Sequence, residues 1–184
     1  MKIPTTLPAA MLAVIASLVL AGCSFKPVDE LKMAGIAMDG ARNVEASVYA
    51  PKDWNRAQAQ WEEAVALIHM GRYSEARNIL IMAIASYNDA QDTAKGSFEK
   101  LQIETHALQS SAETELKKIE QGCKNSKVEL SVRKRIEASL PNLDAKMAAI
   151  KAEIDAKDYR TAHMDGQEVV TYMADLEKKL GISN

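Results

Sequence analysis

Apolar residues along the mature part of this chain recur at spacings of three and four, the period of a helix that buries one face. From Asp29 onward, Ala34, Ala37, Ala41, Val44 and Val48 share such a face, and Pro51 ends the segment and can begin the next. Trp54, Ala57, Trp61, Ala64 and Ile68 continue the spacing in a second helix, which Gly71 is suited to end in a left-handed cap. A third seam is far longer. It runs through Ala76, Leu80, Ala83, Ile84, Tyr87, Ala90 and Ala94, then Phe98, Leu101, Thr105, Leu108, Ala112, Leu116 and Ile119. Two successive steps of four, Ala90 to Ala94 to Phe98, mark a slip, and Gly96 lies there at a helical cost of about 1 kcal/mol against Ala. The pattern predicts one helix from Ser74 to about Gln121, roughly 70 Å long. A break at Gly96-Ser97 into two ordinary helices is the alternative.

Gly122 reads as a stop, and Ser126-Lys127-Val128-Glu129 as a capping box opening a helix with Val128, Val132, Ile136 and Leu140 on one side. Pro141 is expected to break that helix and Asn142 to cap the next, whose face is Leu143, Met147, Ile150 and Ile154. Asp158 caps a last helix with the seam Tyr159, Ala162, Gly166, Val169, Met173, Leu176 and Leu180. The two halves resemble each other. Gly71-Arg72-Tyr73-Ser74-Glu75-Ala76 matches Lys157-Asp158-Tyr159-Arg160-Thr161-Ala162 at an offset of 86. At each turn a Tyr can lie against the preceding helix, and an Ala three residues later lets the backbones approach. Gly71, Tyr73, Ala76, Tyr159 and Ala162 are therefore the expected structural turn residues. The expected fold class is all-α: antiparallel helical hairpins in a bundle with one long central helix, in two similar three-helix units.

Composition agrees. The 184 residues include 29 Ala but only eight Gly and five Pro, with 26% charged and 5% aromatic residues, which favours helices over a β-sandwich or a disordered chain. A net charge of −2 gives no electrostatic case for nucleic acid or an acidic substrate.

The first residues set the compartment. Lys2 precedes an apolar stretch, Ala9 to Leu20, interrupted only by Ser17, of a length suited to a secretory signal and too short to span a bilayer. Leu20-Ala21-Gly22-Cys23 follows at the cleavage position and resembles the lipobox of bacterial lipoproteins. That resemblance implies lipid transfer to the Cys23 thiol, cleavage after Gly22, with Leu20, Ala21 and Gly22 as the peptidase recognition residues, and acylation of the new amine. Two or three acyl chains anchor stably where one is marginal. In the family's sorting pattern, Ser24 rather than Asp implies the outer membrane, facing the periplasm. Expected organisation is then residues 1–22 signal peptide, 23–28 lipidated Cys and tether, 29–121 an N-terminal helical unit with the long helix, and 122–184 a C-terminal three-helix unit. Removal of 22 residues leaves 162, with Cys123 the sole unlipidated cysteine, so no intramolecular disulfide is expected.

Two further resemblances concern the helices. Gly71, Tyr73, Ala76 and Ala83, within Ala57–Ala90, resemble the second half of a tetratricopeptide hairpin, but that family repeats every 34 residues and this chain at 86, so its peptide groove is not carried over. Ala34–Val48, the link Tyr49-Ala50-Pro51, the Trp/Ala/Glu-rich Trp54–Met70, the turn Gly71-Arg72-Tyr73 and Ala76–Ala94 together resemble the bacterial family called domain of unknown function 4398. That resemblance covers a third of the chain. It implies an Ala-rich helical envelope protein and no activity.

Candidate chemistry is sparse. His69, His106 and His163 stand apart, without a His-Glu-x-x-His pattern or a ligand cluster. No phosphate loop, Gly-x-Ser-x-Gly elbow or Ser-x-x-Lys motif is present. Trp54 and Trp61, seven apart, read as core packing. Cys123 is either a protected thiol or, with Lys124 and Lys127 lowering its pKa, a cross-linking one. Lys124, Lys127, Arg133, Lys134 and Arg135 form a local basic run, read as a solvated face or as a site for phosphate head groups or an acidic partner. The expectation is a non-enzyme without metal or cofactor, held to the membrane by acyl chains, with an envelope protein partner, possible self-association and no nucleic acid. Its role is that of a scaffold or adaptor. The alternative is an assembly factor resembling secretin pilotins, holding a client segment in a groove between helices.

Overall fold

The computed structural model describes residues 25–124 and 128–181, and these are all-α. The helices are α1 (Val28–Asn43), the short α2 (Ala46–Tyr49), α3 (Pro51–His69), α4 (Tyr73–Cys123), α5 (Leu130–Glu137), α6 (Leu140–Asp155) and α7 (Tyr159–Leu180). The chain forms two compact units, divided between Ala94 and Lys95. That division falls inside α4, which is continuous for 51 residues and crosses Gly96 without a break. A Cβ on Gly96 would meet nothing within 4 Å, so no packing requirement holds a glycine there.

In the first unit α1, α3 and the first part of α4 enclose an Ala-rich core. Ala34, Ala64 and Leu80 are buried together, and Ala41, Ala46, Ala50, Ala57, Ala83, Tyr87, Ala90 and Ala94 form a second cluster. Small side chains let the helix backbones approach, and Trp61 packs against both clusters. Trp54 meets the Tyr87 ring edge-on at 5.6 Å, so both tryptophans pack between helices. Contacts at Glu30–Arg77 and Gly40–Gln91 set α1 parallel to α4, whereas the α3–α4 pair is an antiparallel hairpin.

The second unit is built from larger residues. Ile119, Leu143, Ile150, Met173, Val169 and Leu176 are its main buried side chains. Here α6 and α7 form the hairpin, and the last part of α4 runs parallel to α7, with Leu108 against Gly166. Thus α4 supplies the closing helix of one hairpin and the covering helix of the other.

Both hairpins turn in the same way. At the first, Gly71 N–H bonds the Ile68 carbonyl (3.0 Å) and Arg72 N–H bonds Leu67 (2.9 Å); at the second, Lys157 bonds Ile154 (2.9 Å) and Asp158 bonds Glu153 (2.9 Å). Gly71 and Lys157 both adopt left-handed φ, +73° and +63°. Each is therefore the left-handed residue of a Schellman cap, and every partner is displaced by 86. The same offset relates the buried seams, pairing Ala76 with Ala162, Leu80 with Gly166, Ala83 with Val169, Tyr87 with Met173, Ala90 with Leu176 and Ala94 with Leu180.

Three local expectations need correction. The first helix does not run on to Val48: it ends at Asn43, and Glu45 takes a left-handed φ of +53°. That kink re-aims the chain so that Ala46 and Ala50 join Ala41 and Ala57 in the core, which a straight helix would not bury. The helix expected to open in the Ser126–Glu129 box begins at Leu130, with Glu129 as its N-cap; Ser126 lies outside the described residues. Pro141 does not separate two helices with Asn142 as cap. It sits in the first turn of α6, whose N-cap is Ser139, because that turn needs no N–H from proline. The Asp158 cap is present: its Oδ1 accepts the Thr161 N–H at 3.1 Å.

Candidate functional site

An open surface groove of about 810 Å³ lies between α6 and α7 in the second unit. Asn142 and Lys146 of α6 form one wall, and Met164, Glu168, Tyr172 and Asp175 line the α7 side. Residues 164, 168 and 172 follow one another at intervals of four, so they stack along one stripe of α7, outside its buried seam. Met164 and Tyr172 are exposed although both are large and apolar in body. Charge flanks them. Lys146 Nζ donates to Glu168 Oε1 (2.5 Å), and Lys179 to Asp175 Oδ2 (2.5 Å). The hydrogen bond between Lys146 and Glu168 raises the lysine pKa and lowers that of the carboxyl. Tyr172 also lines a second cleft, of about 240 Å³, formed with Val132, Arg135 and Ile136 of α5 and Leu176 of α7. One tyrosine thus borders two concavities.

Apolar bodies with paired charges at their edges suit a peptide segment or a helix face. Among the described residues no group of three or more His, Cys, Asp or Glu is placed to hold a metal ion, and no helix is long and apolar enough to cross a membrane.

The sequence-derived candidates fall in several places. Leu20, Ala21, Gly22, Cys23 and Lys127 lie outside the described residues. Lys124 follows α4, while Arg133, Lys134 and Arg135 occupy successive positions of α5 and so fan around it at about 100° steps. They do not make one basic face: Arg133 is half-buried, Lys134 is exposed, and Arg135 borders the smaller cleft. Cys123 is a free, buried thiol. Burial pushes its pKa up, with Glu137 adding and Arg133 opposing, in line with the protected thiol rather than with the cross-linking alternative.

The two turn tyrosines differ. Tyr159 is buried, edge-on to Phe98 (5.5 Å) and to His106 (5.8 Å). Buried Thr105 beside it donates to the Leu101 carbonyl (2.7 Å) and lies 3.5 Å from His163 Nδ1. The structure therefore brings His106 and His163, far apart in sequence, to one turn of α7, where they pack. Tyr73 is only half-buried. Ala76 and Ala162 are fully buried at their turns.

The sequence reading missed the groove. Its signal was available as Met164 and Tyr172, eight residues apart on the polar side of an otherwise clean seam. No family model, curated protein or solved structure matches the chain.

Proposed function

We propose that the protein is a lipid-anchored helical scaffold or adaptor of the bacterial cell envelope, facing the periplasm and without enzymatic activity. The observation that carries the adaptor role is the α6–α7 groove. It offers Met164 and Tyr172 to a partner between charged rims. The anchor rests on Leu20-Ala21-Gly22-Cys23 behind an apolar core, and the envelope setting draws further support from the resemblance of residues 34–94 to the domain of unknown function 4398 family.

Two experiments test this reading. Cys23→Ala should move the protein from the membrane fraction to the soluble periplasmic fraction; persistence on membranes would sink the anchor. A photo-crosslinking residue at position 172 should trap one envelope protein in a fixed ratio, read by mass spectrometry after tagged purification. Recovery of this chain alone would replace the adaptor by a self-associating structural protein.

A second reading is a pilotin-like or assembly-factor lipoprotein, favoured by the groove volume of about 810 Å³, enough to seat side chains of a client segment. Pulse-labelling separates the two, because an assembly factor holds its client only before insertion and an adaptor keeps its partner.

A further inference from the structure

One end of the first unit gathers the start of α1, the end of α3 and the start of α4. The contacts define it. Arg77 of α4 pairs with Glu30 of α1 (Nε–Oε1 2.7 Å) and reaches the Phe25 carbonyl at 3.5 Å. Leu31, Ile68 and Ile79 all pack against the Ala34, Ala64 and Leu80 cluster, which places the first turn of α1 beside the α3–α4 turn. Pro27, fully buried, fixes the entering chain against this end.

Three large apolar side chains project there into solvent: Phe25 is 85% exposed, Val28 61% and Met70 68%. A single exposed apolar residue needs no explanation, but three at one end of a small bundle do. Charge at this end is mixed rather than basic. Glu30 offsets Arg77, and Glu75 offsets Arg72 (Nε–Oε1 2.7 Å), leaving Lys26 against Asp29. An acidic or basic partner therefore has nothing to read. What identifies the occupant is the chain itself. Phe25 stands two residues after Cys23, a span of about 7 Å when fully extended.

We propose that this end of the first unit rests on the lipid surface, with Phe25, Val28 and Met70 entering the head-group region beside the acyl anchor. The inference rests on the reading that Cys23 is lipidated. Acyl chains inserted at Cys23 hold Phe25 within one head-group depth of the bilayer. The entropic cost of bringing the apolar end to the membrane is then already met by the anchor. Contact removes apolar surface from water without burying an unpaired charge, because the charged groups beside it are already paired or offset. Tyr73, half-buried at the same end, suits an interfacial position where one side of the ring is apolar and the hydroxyl remains wet.

The test uses the full lipidated chain in vesicles of phosphatidylethanolamine and phosphatidylglycerol. Met70→Cys and, at an exposed position in the α2 segment far along the chain from this end, Val48→Cys are each made in a Cys123→Ala background and labelled with a small fluorophore. Lipids carrying a nitroxide near the head group serve as quencher. The label at 70 should be quenched severalfold more than the label at 48, and Phe25→Asp with Val28→Asp should shrink that difference while flotation persists. Equal quenching at 70 and 48 in protein that floats and carries the acyl mass overturns the apposition and leaves lipidation standing. Protein without acyl mass overturns both.

Discussion

Tyr87 is fully buried in the Ala-rich core, edge-on to Trp54, and its hydroxyl has no hydrogen-bond partner there. An unmet buried hydroxyl costs roughly 1–3 kcal/mol. Tyr87→Phe keeps the ring contacts and removes that cost, so it should raise stability by about 1 kcal/mol in urea unfolding; a clear loss would show that the hydroxyl is satisfied. Burial also pushes the Tyr87 pKa up to about 12, Arg42 opposing and Glu62 adding. The unfolded chain therefore gives up this proton first. Stability tied to Tyr87 is complete below pH 10 and declines as pH rises from there through about 12. The wild-type protein should lose on the order of 2 kcal/mol more than Tyr87→Phe across that window. The turn tyrosines offer a second comparison. Tyr159→Ala removes a buried ring from Phe98 and His106 and should cost about 3 kcal/mol, whereas half-buried Tyr73→Ala should cost about 1 kcal/mol in the same melts. Sequence placed both tyrosines at turns. It did not distinguish them, because the rings that cover Tyr159 come from α4, more than 50 residues away in sequence.

Helix ends were legible where the residue type itself dictates the backbone. Gly71 and Asp158 announce a left-handed cap and an N-cap, and both occur as read. Lys157 carries no such label; its left-handed φ was visible only through its alignment with Gly71. The two positions make a paired prediction. Gly71→Ala puts a Cβ on a left-handed backbone and should cost about 1 kcal/mol, while Lys157→Gly should gain a similar amount, both read as shifts of the thermal midpoint. Equal effects of the same sign would break the equivalence of the two turns. The kink at Glu45 was not legible for the same reason. Nothing in Val44-Glu45-Ala46 marks a break, and it forms because tertiary burial of Ala46 and Ala50 outweighs local helix continuity. Pro141 misled in the opposite way, since proline signals the first turn of a helix as readily as the end of one. Position Gly166 shows how matched seams tolerate different residues: it stands where the other unit has Leu80, and Leu108 fills the space its missing side chain leaves.

Across the whole molecule, helical periodicity made the all-α class and the long helix readable, and the structure supplies the continuity across Gly96 that spacing left open. The groove was harder to see, because it depends on which polar-face residues of α6 and α7 are brought side by side. Cys123 connects these scales. Buried, with its pKa pushed up, the thiol is a poor nucleophile in the folded protein. In the Cys23→Ala protein it should react with a maleimide at least tenfold faster in denaturant than in native buffer, and oxidation should produce no cross-linked dimer without unfolding. Rapid native labelling would show the second unit to be loosely closed there.

The division of the chain between Ala94 and Lys95 falls within a continuous helix. Endoproteases bind their substrates extended, and a hydrogen-bonded helix cannot enter such a cleft until it unwinds. An endoprotease therefore meets no ready cleavage point within that helix. Opening the joint unravels a helix that both units use in their cores, so turnover of one exposes the other. The protein should be degraded as a whole, leaving no long-lived half.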